Sequence, residues 1–337
     1  MIRMNRIITS LLALLLLFGC GCKNKSQYAD MPKELAELCK SIDRHPKRAE
    51  LYYQRADYYY YHQNVEKGIA DMQTAIRLQP DSSKYYVKLS DLYFAQRETD
   101  LAEEMLQTAI RKDPNNNEAR LKLAELYFHL RMMEQCNTTI DEAVEMQPFN
   151  PKAYLIKAFM RKEERDTADY LRLLQLVIDQ DPKEVKAFLE LGYFYQKHNN
   201  PLAVSYYQNA LQVDPQNVEI RYNLAKMYQD MGQIEEAEQE YKSVLEIDPK
   251  NIPALNNLGY LYLDDSLARY DEAAKLFTRA IEANPGFVYS VCNRGVAYEY
   301  LGEYDKARKD YQEALRLETN FEQAIAGLNR LDKLQSR

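Results

Sequence analysis

The chain has 337 residues, a formal net charge of −7, a hydrophobic content of 46% and no tryptophan. This hydrophobic content is that of a packed protein and excludes a largely disordered chain. The acidic balance repels a phosphate backbone and therefore argues against nucleic-acid binding.

Residues 1–19 have the layout of a secretory signal peptide, with two arginines before an apolar run that ends at Phe18. The run is too short to span a bilayer stably. With the next two residues, Gly19 and Cys20, its end resembles the lipobox of bacterial lipoproteins, which implies cleavage after Gly19 and a lipid on Cys20. The alternative is an ordinary secretory signal in which Cys20 is incidental. Cys22 fits less well, because Gly19 would then stand where the lipobox has an aliphatic residue.

Two short segments precede the main part of the chain. Residues 20–31 are polar, and we expect a lipidated flexible tether that reaches about 20 Å. Residues 32–46 predict one helix that ends at Pro46 and aligns with the second helix of the repeats that follow. We therefore expect an N-terminal half-repeat that caps a stack of helix pairs.

The stretch 218–251 shows the unit from which the rest of the chain is built. It predicts helices over 218–231 and 234–247, separated by Gly232, which favours the left-handed conformation that ends a helix. Pro249 closes the unit, because proline disfavours helical geometry in the residue before it. Apolar residues three and four positions apart give each helix one apolar face, so a single unit needs neighbours to bury it.

A proline closes each copy of this unit at a nearly constant interval. The prolines are 33 to 36 residues apart and lie at Pro46, Pro80, Pro114, Pro148, Pro182, Pro215, Pro249 and Pro285. One position in the first helix is always small, and it holds Ala56, Ser90, Ala124, Ala158, Gly192, Ala225, Gly259 and Gly295. Small residues let two helices approach closely. The period therefore predicts an all-α solenoid of eight helix pairs over 49–321.

The aligned columns resemble the tetratricopeptide repeat family. The family pattern is met by Leu258-Gly259, Tyr262, Ala273, Phe277 and Pro285 in repeat seven, and by Gly295, Tyr298, Ala307, Tyr311 and Ala314 in repeat eight. The chain departs from the family at the large aromatic near each repeat start, where it has Tyr52, Tyr86, Arg120, Tyr154, Phe188, Arg221, Leu255 and Val291. The resemblance implies a right-handed superhelical scaffold that binds proteins on the concave side, which the first helix of each repeat lines.

Repeat four departs from the other copies. Arg161 stands in a column of tyrosines, and Tyr170 stands in a column of small residues. A local repacking is one interpretation, and a softer joint over 151–184 is the other. After the eighth repeat, residues 322–337 predict a C-terminal capping helix with a polar outer face, as the end of a solenoid requires.

The sequence offers no catalytic or metal-binding constellation, so we expect neither an enzyme nor a bound cofactor or metal. His62, His129 and His198 lie in repeats one, three and five, which places them at least about 20 Å apart, too far to share a metal or a triad. Cys136 is expected in the core and Cys292 on the groove side. No cysteine has an evident disulfide partner, so the fold does not depend on oxidation.

The strongest candidate for binding is a row of asparagines on the first helices of repeats six to eight. Asn223, Asn257 and Asn293 occupy one position of the repeat, so we expect their amides to form a ladder along the groove. An amide both donates and accepts, so such a row can hold the backbone of an extended peptide. Beside the ladder we expect side-chain pockets formed by Tyr222, Lys226, Asn256, Tyr260 and Tyr289. Ordinary solvated asparagines are the alternative.

The other repeats present different surfaces to the same groove. Repeats one to three mix aromatic rings with both charges, at Tyr53, Asp57, Tyr60, Lys84, Lys88, Asp91, Glu118, Lys122 and Glu125. Repeats four and five present an apolar middle, at Leu155, Phe159, Leu189 and Tyr193. Such a stripe fits a partner helix or peptide unless the superhelix itself covers it.

These features predict a membrane-tethered protein–protein interaction scaffold or adaptor. It would bind an extended peptide or partner protein in the groove and help assemble a secretion, outer-membrane or cell-wall complex. A glycan-binding or polysaccharide-export scaffold is the alternative, because inward tyrosines also stack on sugar rings. We expect the protein in the cell envelope, lipid-anchored at the outer membrane. Surface-exposed lipoproteins of some bacterial groups carry an acidic cluster after the lipidated cysteine. None follows Cys20, so by analogy we expect the protein to face the periplasm.

Overall fold

The computed structural model describes residues 28–335, so the predicted signal peptide, Cys20 and most of the predicted tether lie outside the described residues. Within 28–335 the chain consists of helices and turns without a strand, and the predicted all-α class is confirmed. The helices of this range are α1 Lys33–Arg44, α2 Ala49–Tyr61, α3 Val65–Leu78, α4 Ser83–Ala95, α5 Thr99–Lys112, α6 Asn117–His129, α7 Met133–Met146, α8 Pro151–Glu163, α9 Thr167–Gln180, α10 Val185–Lys197, α11 Leu202–Val213, α12 Val218–Asp230, α13 Ile234–Ile247, α14 Ile252–Leu261, α15 Tyr270–Ala283, α16 Val288–Tyr300, α17 Tyr304–Leu317 and α18 Glu322–Gln335.

The helices follow the repeat in the sequence. Repeat one contains α2 and α3, repeat eight contains α16 and α17, and α1 and α18 flank the series. In repeat six, α12 and α13 lie within one residue of the predicted bounds. The turn between them contains Gly232 with a φ of 72°. The same turn in the other repeats also has one residue with positive φ, at Gln63, Arg97, Arg131, Arg165, Asn199, Ala268 and Gly302.

The chain divides into two compact units, Met1–Glu164 (the first unit) and Arg165–Arg337 (the second unit). Within each unit, every helix packs against the next helix of the chain, and the apolar core lies between them. The predicted small residues are buried in all eight repeats. Where both helices of a repeat belong to one unit, they approach closely because the side chains between them are small.

Repeat four contains the boundary between the units. Tyr170 is only 4% exposed, and its hydroxyl donates to the Glu190 carboxylate over 2.6 Å within the second unit. Arg161, in the first unit, forms an ion pair with Glu164. The local repacking and the softer joint over 151–184 both stay predictions.

The first described residues lie against α1. The hydroxyl of Tyr28 donates to the Asp43 carboxylate, and the Lys40 ammonium lies over the Tyr28 ring at 5.5 Å from its centroid. Tyr28 belongs to the end of the predicted tether, so this end of the segment contacts the first helix. None of the helices α1–α18 is both long enough and apolar enough to cross a membrane.

Candidate functional site

The asparagine row lies on the first helices of repeats six to eight in the second unit. Asn223 is on α12, Asn257 on α14 and Asn293 on α16, and each lies eight positions after the preceding closing proline. All three side chains are half-buried. Since α14 and α16 are in contact, the amides lie where neighbouring first helices meet rather than free in solvent.

Asn257 and Asn293 are joined through Asn256 into a chain of hydrogen bonds that we call the amide relay. Asn293 Nδ2 donates to Asn256 Oδ1 over 3.2 Å, and Asn256 Nδ2 donates to Asn257 Oδ1, also over 3.2 Å. Asn257 Nδ2 donates to the hydroxyls of Tyr222 at 3.0 Å and Tyr241 at 3.3 Å. The donors all point from repeat eight towards repeat six, so each bond polarises the next.

Two further bonds anchor the relay. Ser290 Oγ donates to Asn256 Oδ1 over 3.0 Å, and the Tyr241 hydroxyl donates to Gln229 Oε1 over 2.8 Å. An amide nitrogen carries two hydrogens, and Asn257 uses both. Among residues 28–335, Asn293 Oδ1 has no hydrogen-bond partner. The relay therefore holds its amides in a fixed orientation and leaves an acceptor at its repeat-eight end.

Asn223 belongs to the same row but not to the relay. Its Nδ2 donates to the Glu219 carbonyl oxygen over 2.8 Å and to the Tyr193 hydroxyl over 3.2 Å. The Tyr193 hydroxyl donates in turn to the Glu219 carboxylate. Burial, reinforced by this bond, raises the pKa of Tyr193 to about 12, so the hydroxyl keeps its proton at neutral pH. Asn223 Oδ1 has no partner within the described chain.

The predicted pocket residues beside the row differ in exposure. Tyr222 is half-buried, with its ring centroid 6.0 Å from that of Tyr241. Tyr260 is 56% exposed and Tyr289 is 52% exposed, and Lys226 is also exposed. The Tyr289 ring lies 5.3 Å, edge to face, from the buried ring of Phe321. Two ring faces and one ammonium are thus open to a ligand beside the amides.

The row does not continue into repeat five. Glu190 occupies the corresponding position there, and its carboxylate accepts from Tyr170. The sequence predicts Tyr193 in an apolar stripe and does not predict its bond to Asn223. A signal was available, because Tyr193 lies eleven positions after Pro182, the position that Lys226 and Tyr260 hold in later repeats.

The mixed charges of repeats one to three form ion pairs between successive first helices of the first unit. Asp57 pairs with Lys88, and Asp91 pairs with Lys122 at 2.7 Å. The Lys88 ammonium also lies 4.6 Å from the centroid of the Tyr60 ring. Burial alone would lower the pKa of Lys122, but its bond to Asp91 and nearby carboxylates raise it above the ordinary value. Lys122 therefore remains charged, and both lysines link neighbouring repeats.

The predicted apolar middle is only partly open. Leu155 and Phe159 in the first unit are half-buried, and so are Leu189 and Tyr193 in the second. At these positions neither unit presents a fully exposed apolar surface.

The predicted position of Cys292 on the groove side is wrong. Its side chain is 1% exposed, and it lies in the core of the last repeats, where α18 packs against α16. Burial raises the pKa of its thiol to about 11. Cys136 is buried as predicted, and Cys39, Cys136 and Cys292 are all free thiols. In the part of the chain that the structure describes, no three His, Cys, Asp or Glu side chains could hold a metal ion.

Comparison with protein families gives one consistent match. Models described as tetratricopeptide repeat match residues 53–104, 93–158, 195–259, 254–288 and 289–326, which together cover more than half of the chain. No curated protein matches the chain significantly.

Several solved structures are similar in fold. A MamA protein is 24% identical, with 51% of this chain and 95% of MamA covered and a TM-score of 0.47. PilW, described as a type IV pilus biogenesis factor, is 18% identical, with 63% and 98% covered and a TM-score of 0.49. A tetratricopeptide repeat protein from Parabacteroides merdae is 18% identical, with 74% and 98% covered and a TM-score of 0.46.

Proposed function

The chain belongs to the tetratricopeptide repeat family, and we propose that it is a non-enzymatic scaffold that binds an extended peptide of a partner protein along the asparagine row. The observation that carries this proposal is a pair of amide oxygens, Asn223 Oδ1 and Asn293 Oδ1, that accept no hydrogen bond from residues 28–335. An extended backbone offers an N–H group at nearly every residue, whatever its side chains are. The row can therefore accept hydrogen bonds from a peptide without reading its sequence.

The internal bonds of the row favour acceptance over donation. The nitrogens of Asn223 and Asn257 give both hydrogens to the protein, and that of Asn293 gives one. Within residues 28–335 the row therefore leaves two amide oxygens and a single N–H for a ligand. Because these amides are already held in one orientation, little conformational entropy remains to be lost when a ligand binds. This preorganisation is what a site for a backbone requires.

The open rings beside the row supply contacts for side chains. Tyrosine presents a large apolar face with few rotatable bonds, so it orders at low entropic cost. Tyr260 and Tyr289 are each about half exposed and flank the relay. Lys226 adds one positive charge next to Asn223 on α12. These three side chains are the part of the site that selects among peptides.

The second part of the proposal concerns location. A lipid on Cys20 holds the scaffold at the outer membrane, facing the periplasm, where it helps assemble a secretion, outer-membrane or cell-wall complex. Residues 17–20 support this because they resemble a lipobox at the end of a short apolar run.

The test uses the full-length protein in its own membranes. Crosslinking there captures the partner, and mass spectrometry identifies the partner segment joined to the second unit. We expect the combined variant Asn223→Ala, Asn257→Ala and Asn293→Ala to bind a synthetic peptide of that segment at least about tenfold more weakly, since each lost bond is worth about 1 kcal/mol.

A matched variant controls for the loss of three amides. Asn115, Asn209 and Asn329 are exposed, and their replacement by alanine should leave the affinity unchanged. Circular dichroism shows whether both variants remain folded. Equal affinity of the two folded variants would contradict the role of the row.

A glycan-binding scaffold is the second candidate, and the exposed rings of Tyr260 and Tyr289 favour it. A sugar ring would depend on these faces more than on the amide oxygens. Retention on envelope polysaccharide that Tyr289→Ala abolishes, together with no captured peptide segment, would replace the peptide proposal by this one.

A further inference from the structure

A small cavity opens in the first unit, away from the asparagine row. It lies among α4, α5 and α6 and has a volume of about 90 Å³. Its floor is formed by buried residues, among them Ser90, Leu106 and Leu126. The floor is thus mostly apolar and is part of the contact between repeats two and three.

The volume of the cavity limits what can enter it. Small-molecule and cofactor sites are roughly 300–1,000 Å³, which is several times larger. An apolar cavity of roughly 150 Å³ takes a benzene ring. A cavity of about 90 Å³ with this floor is therefore the size of one aliphatic side chain.

The rim of the cavity is polar and carries an excess negative charge. Asp91 is neutralised by Lys122 at 2.7 Å. Glu125 is exposed on the same rim and has no hydrogen-bond or ion-pair partner within residues 28–335. Phe94 is 44% exposed, and its ring centroid lies 5.8 Å from that of His129. The mouth thus offers the Glu125 carboxylate, which lies near Lys122 without forming an ion pair with it, beside the rings of Phe94 and His129.

We propose that this cavity is a docking pocket for a partner peptide that carries a leucine-sized aliphatic residue next to a lysine or arginine. The aliphatic side chain enters the floor between Leu106 and Leu126, where it is removed from water. The neighbouring cation remains at the mouth and pairs with Glu125. The pocket lies in the first unit and its occupation does not depend on the asparagine row.

The probe for this pocket is the capped tripeptide lysyl-leucyl-lysine amide. It is titrated into full-length protein carrying labelled methyl groups, and the signals of Leu106 and Leu126 are followed by NMR. We expect these signals to shift and saturate. Replacing the leucine of the probe by asparagine should weaken binding about tenfold, because the aliphatic burial is lost.

Two protein variants separate the floor from the rim. Glu125→Gln should weaken binding of the tripeptide about threefold, as expected for a partly exposed charge pair, and Phe94→Ala should weaken it by a similar factor. Glu118→Gln is the matched control, because Glu118 is an exposed acid at the start of the same helix and does not line the cavity. It should leave the affinity unchanged.

The proposal is overturned if the leucine and asparagine probes shift the two methyl signals equally, or if neither shifts them. It is also overturned if Glu118→Gln weakens binding as much as Glu125→Gln, since the probe would then sense only the negative charge of α6. The combined asparagine variant of the second unit should bind the tripeptide normally, so failure of the peptide-row proposal remains distinguishable from failure of this one.

Discussion

Glycine lies against a buried aromatic ring in three repeats of the second unit. The pairs are Gly192 with Tyr207, Gly259 with Phe277 and Gly295 with Tyr311. In each pair, a Cβ on the glycine would come within 3 Å of ring atoms. The ring occupies the space that a methyl group would need, so the size of one residue sets the size of the other.

Gly192 and Tyr207 form the tightest of these three pairs. A Cβ at position 192 would lie 2.4 Å and 2.7 Å from two carbons of the Tyr207 ring, which is fully buried. We expect Gly192→Ala to lower the free energy of unfolding by about 1–2 kcal/mol, a typical cost of overpacking. Repeat six has an alanine, Ala225, and a buried tyrosine, Tyr241, in the same core. A repeat can therefore accommodate an alanine beside a tyrosine ring, so we do not expect Gly192→Ala to unfold the protein completely.

Urea titration followed by circular dichroism measures this effect. Gly286→Ala is the control, because a Cβ there meets only an asparagine side-chain oxygen, at 3.4 Å. If the wild type and Gly192→Ala had the same urea midpoint, the Tyr207 ring would be able to shift without lowering the free energy of unfolding, and the prediction would be wrong.

The period of the sequence is sufficient to place Gly192, because a helix contact that recurs in every repeat needs a small residue each time. It is sufficient to place Asn223, Asn257 and Asn293 on one face for the same reason. It does not reveal what each side chain bonds to. The bond from Asn223 to Tyr193 joins residues 30 positions apart and depends on two rotamers, neither of which the spacing determines.

At the scale of elements, the first helix of most repeats is fastened to the turn before it. A side chain in its first turn donates to the carbonyl of the closing proline six residues earlier. These bonds join Tyr52 to Pro46, Tyr86 to Pro80, Arg120 to Pro114, Tyr154 to Pro148 and Arg221 to Pro215, at 2.6–3.0 Å. Each of these bonds gives a phenol or guanidinium donor to a turn carbonyl.

The last helix is fastened by a charge network. Arg330 on α18 donates two bonds to the Glu299 carboxylate on α16, each 2.8 Å, and the Tyr311 hydroxyl donates to it over 2.6 Å. Burial alone would raise the pKa of Glu299, but the bonds from Arg330 and Tyr311 outweigh it and hold the pKa below its ordinary value of 4.5. The ionised carboxylate therefore adds a charged link to the apolar contacts of Ala324 and Leu331 that pack α18 on the repeats.

The second prediction follows from the sign of this shift. Because the folded protein binds the Glu299 proton less readily than the unfolded chain, the network stabilises the fold above pH 4.5 and is lost as pH falls through the lower folded pKa. We expect Glu299→Gln to lower the free energy of unfolding by about 1–3 kcal/mol at neutral pH, because charged hydrogen bonds are lost. Below pH 4.5 the stability of this variant should depend less on pH than that of the wild type.

Urea midpoints between neutral and acidic pH measure both effects. Glu322→Gln serves as the control, because Glu322 is an exposed acid at the start of α18. The stability of the Glu322→Gln protein should fall at acidic pH as that of the wild type does. A Glu299→Gln protein that loses stability with acid as steeply as the wild type would refute the assigned role.

At the scale of the whole molecule, each unit presents a different surface on its first helices. In the first unit, ion pairs link successive first helices, and one of them, Asp91 with Lys122, lies at the rim of a small apolar pocket. In the second unit, half-buried amides and two open tyrosines replace the charges. Neither surface is required by the repeat, because the buried small residues and rings already account for the stacking. The side chains that the fold leaves free are therefore the ones we assign to partners.

The last prediction concerns how the whole molecule is held in the envelope. Our proposal makes Cys20 the site of the lipid and Cys22 an ordinary tether residue. Cys20→Ser removes the thiol to which the lipid would be joined, so we expect the protein to move from the membrane fraction to the soluble fraction. Cys22→Ser, two residues away, should leave it in the membrane fraction with its N-terminal lipid detectable by mass spectrometry. Retention of Cys20→Ser in the membrane fraction, or release of Cys22→Ser instead, would contradict a lipid anchor at Cys20, because without acyl chains a polar tether gains too little from the bilayer to stay bound.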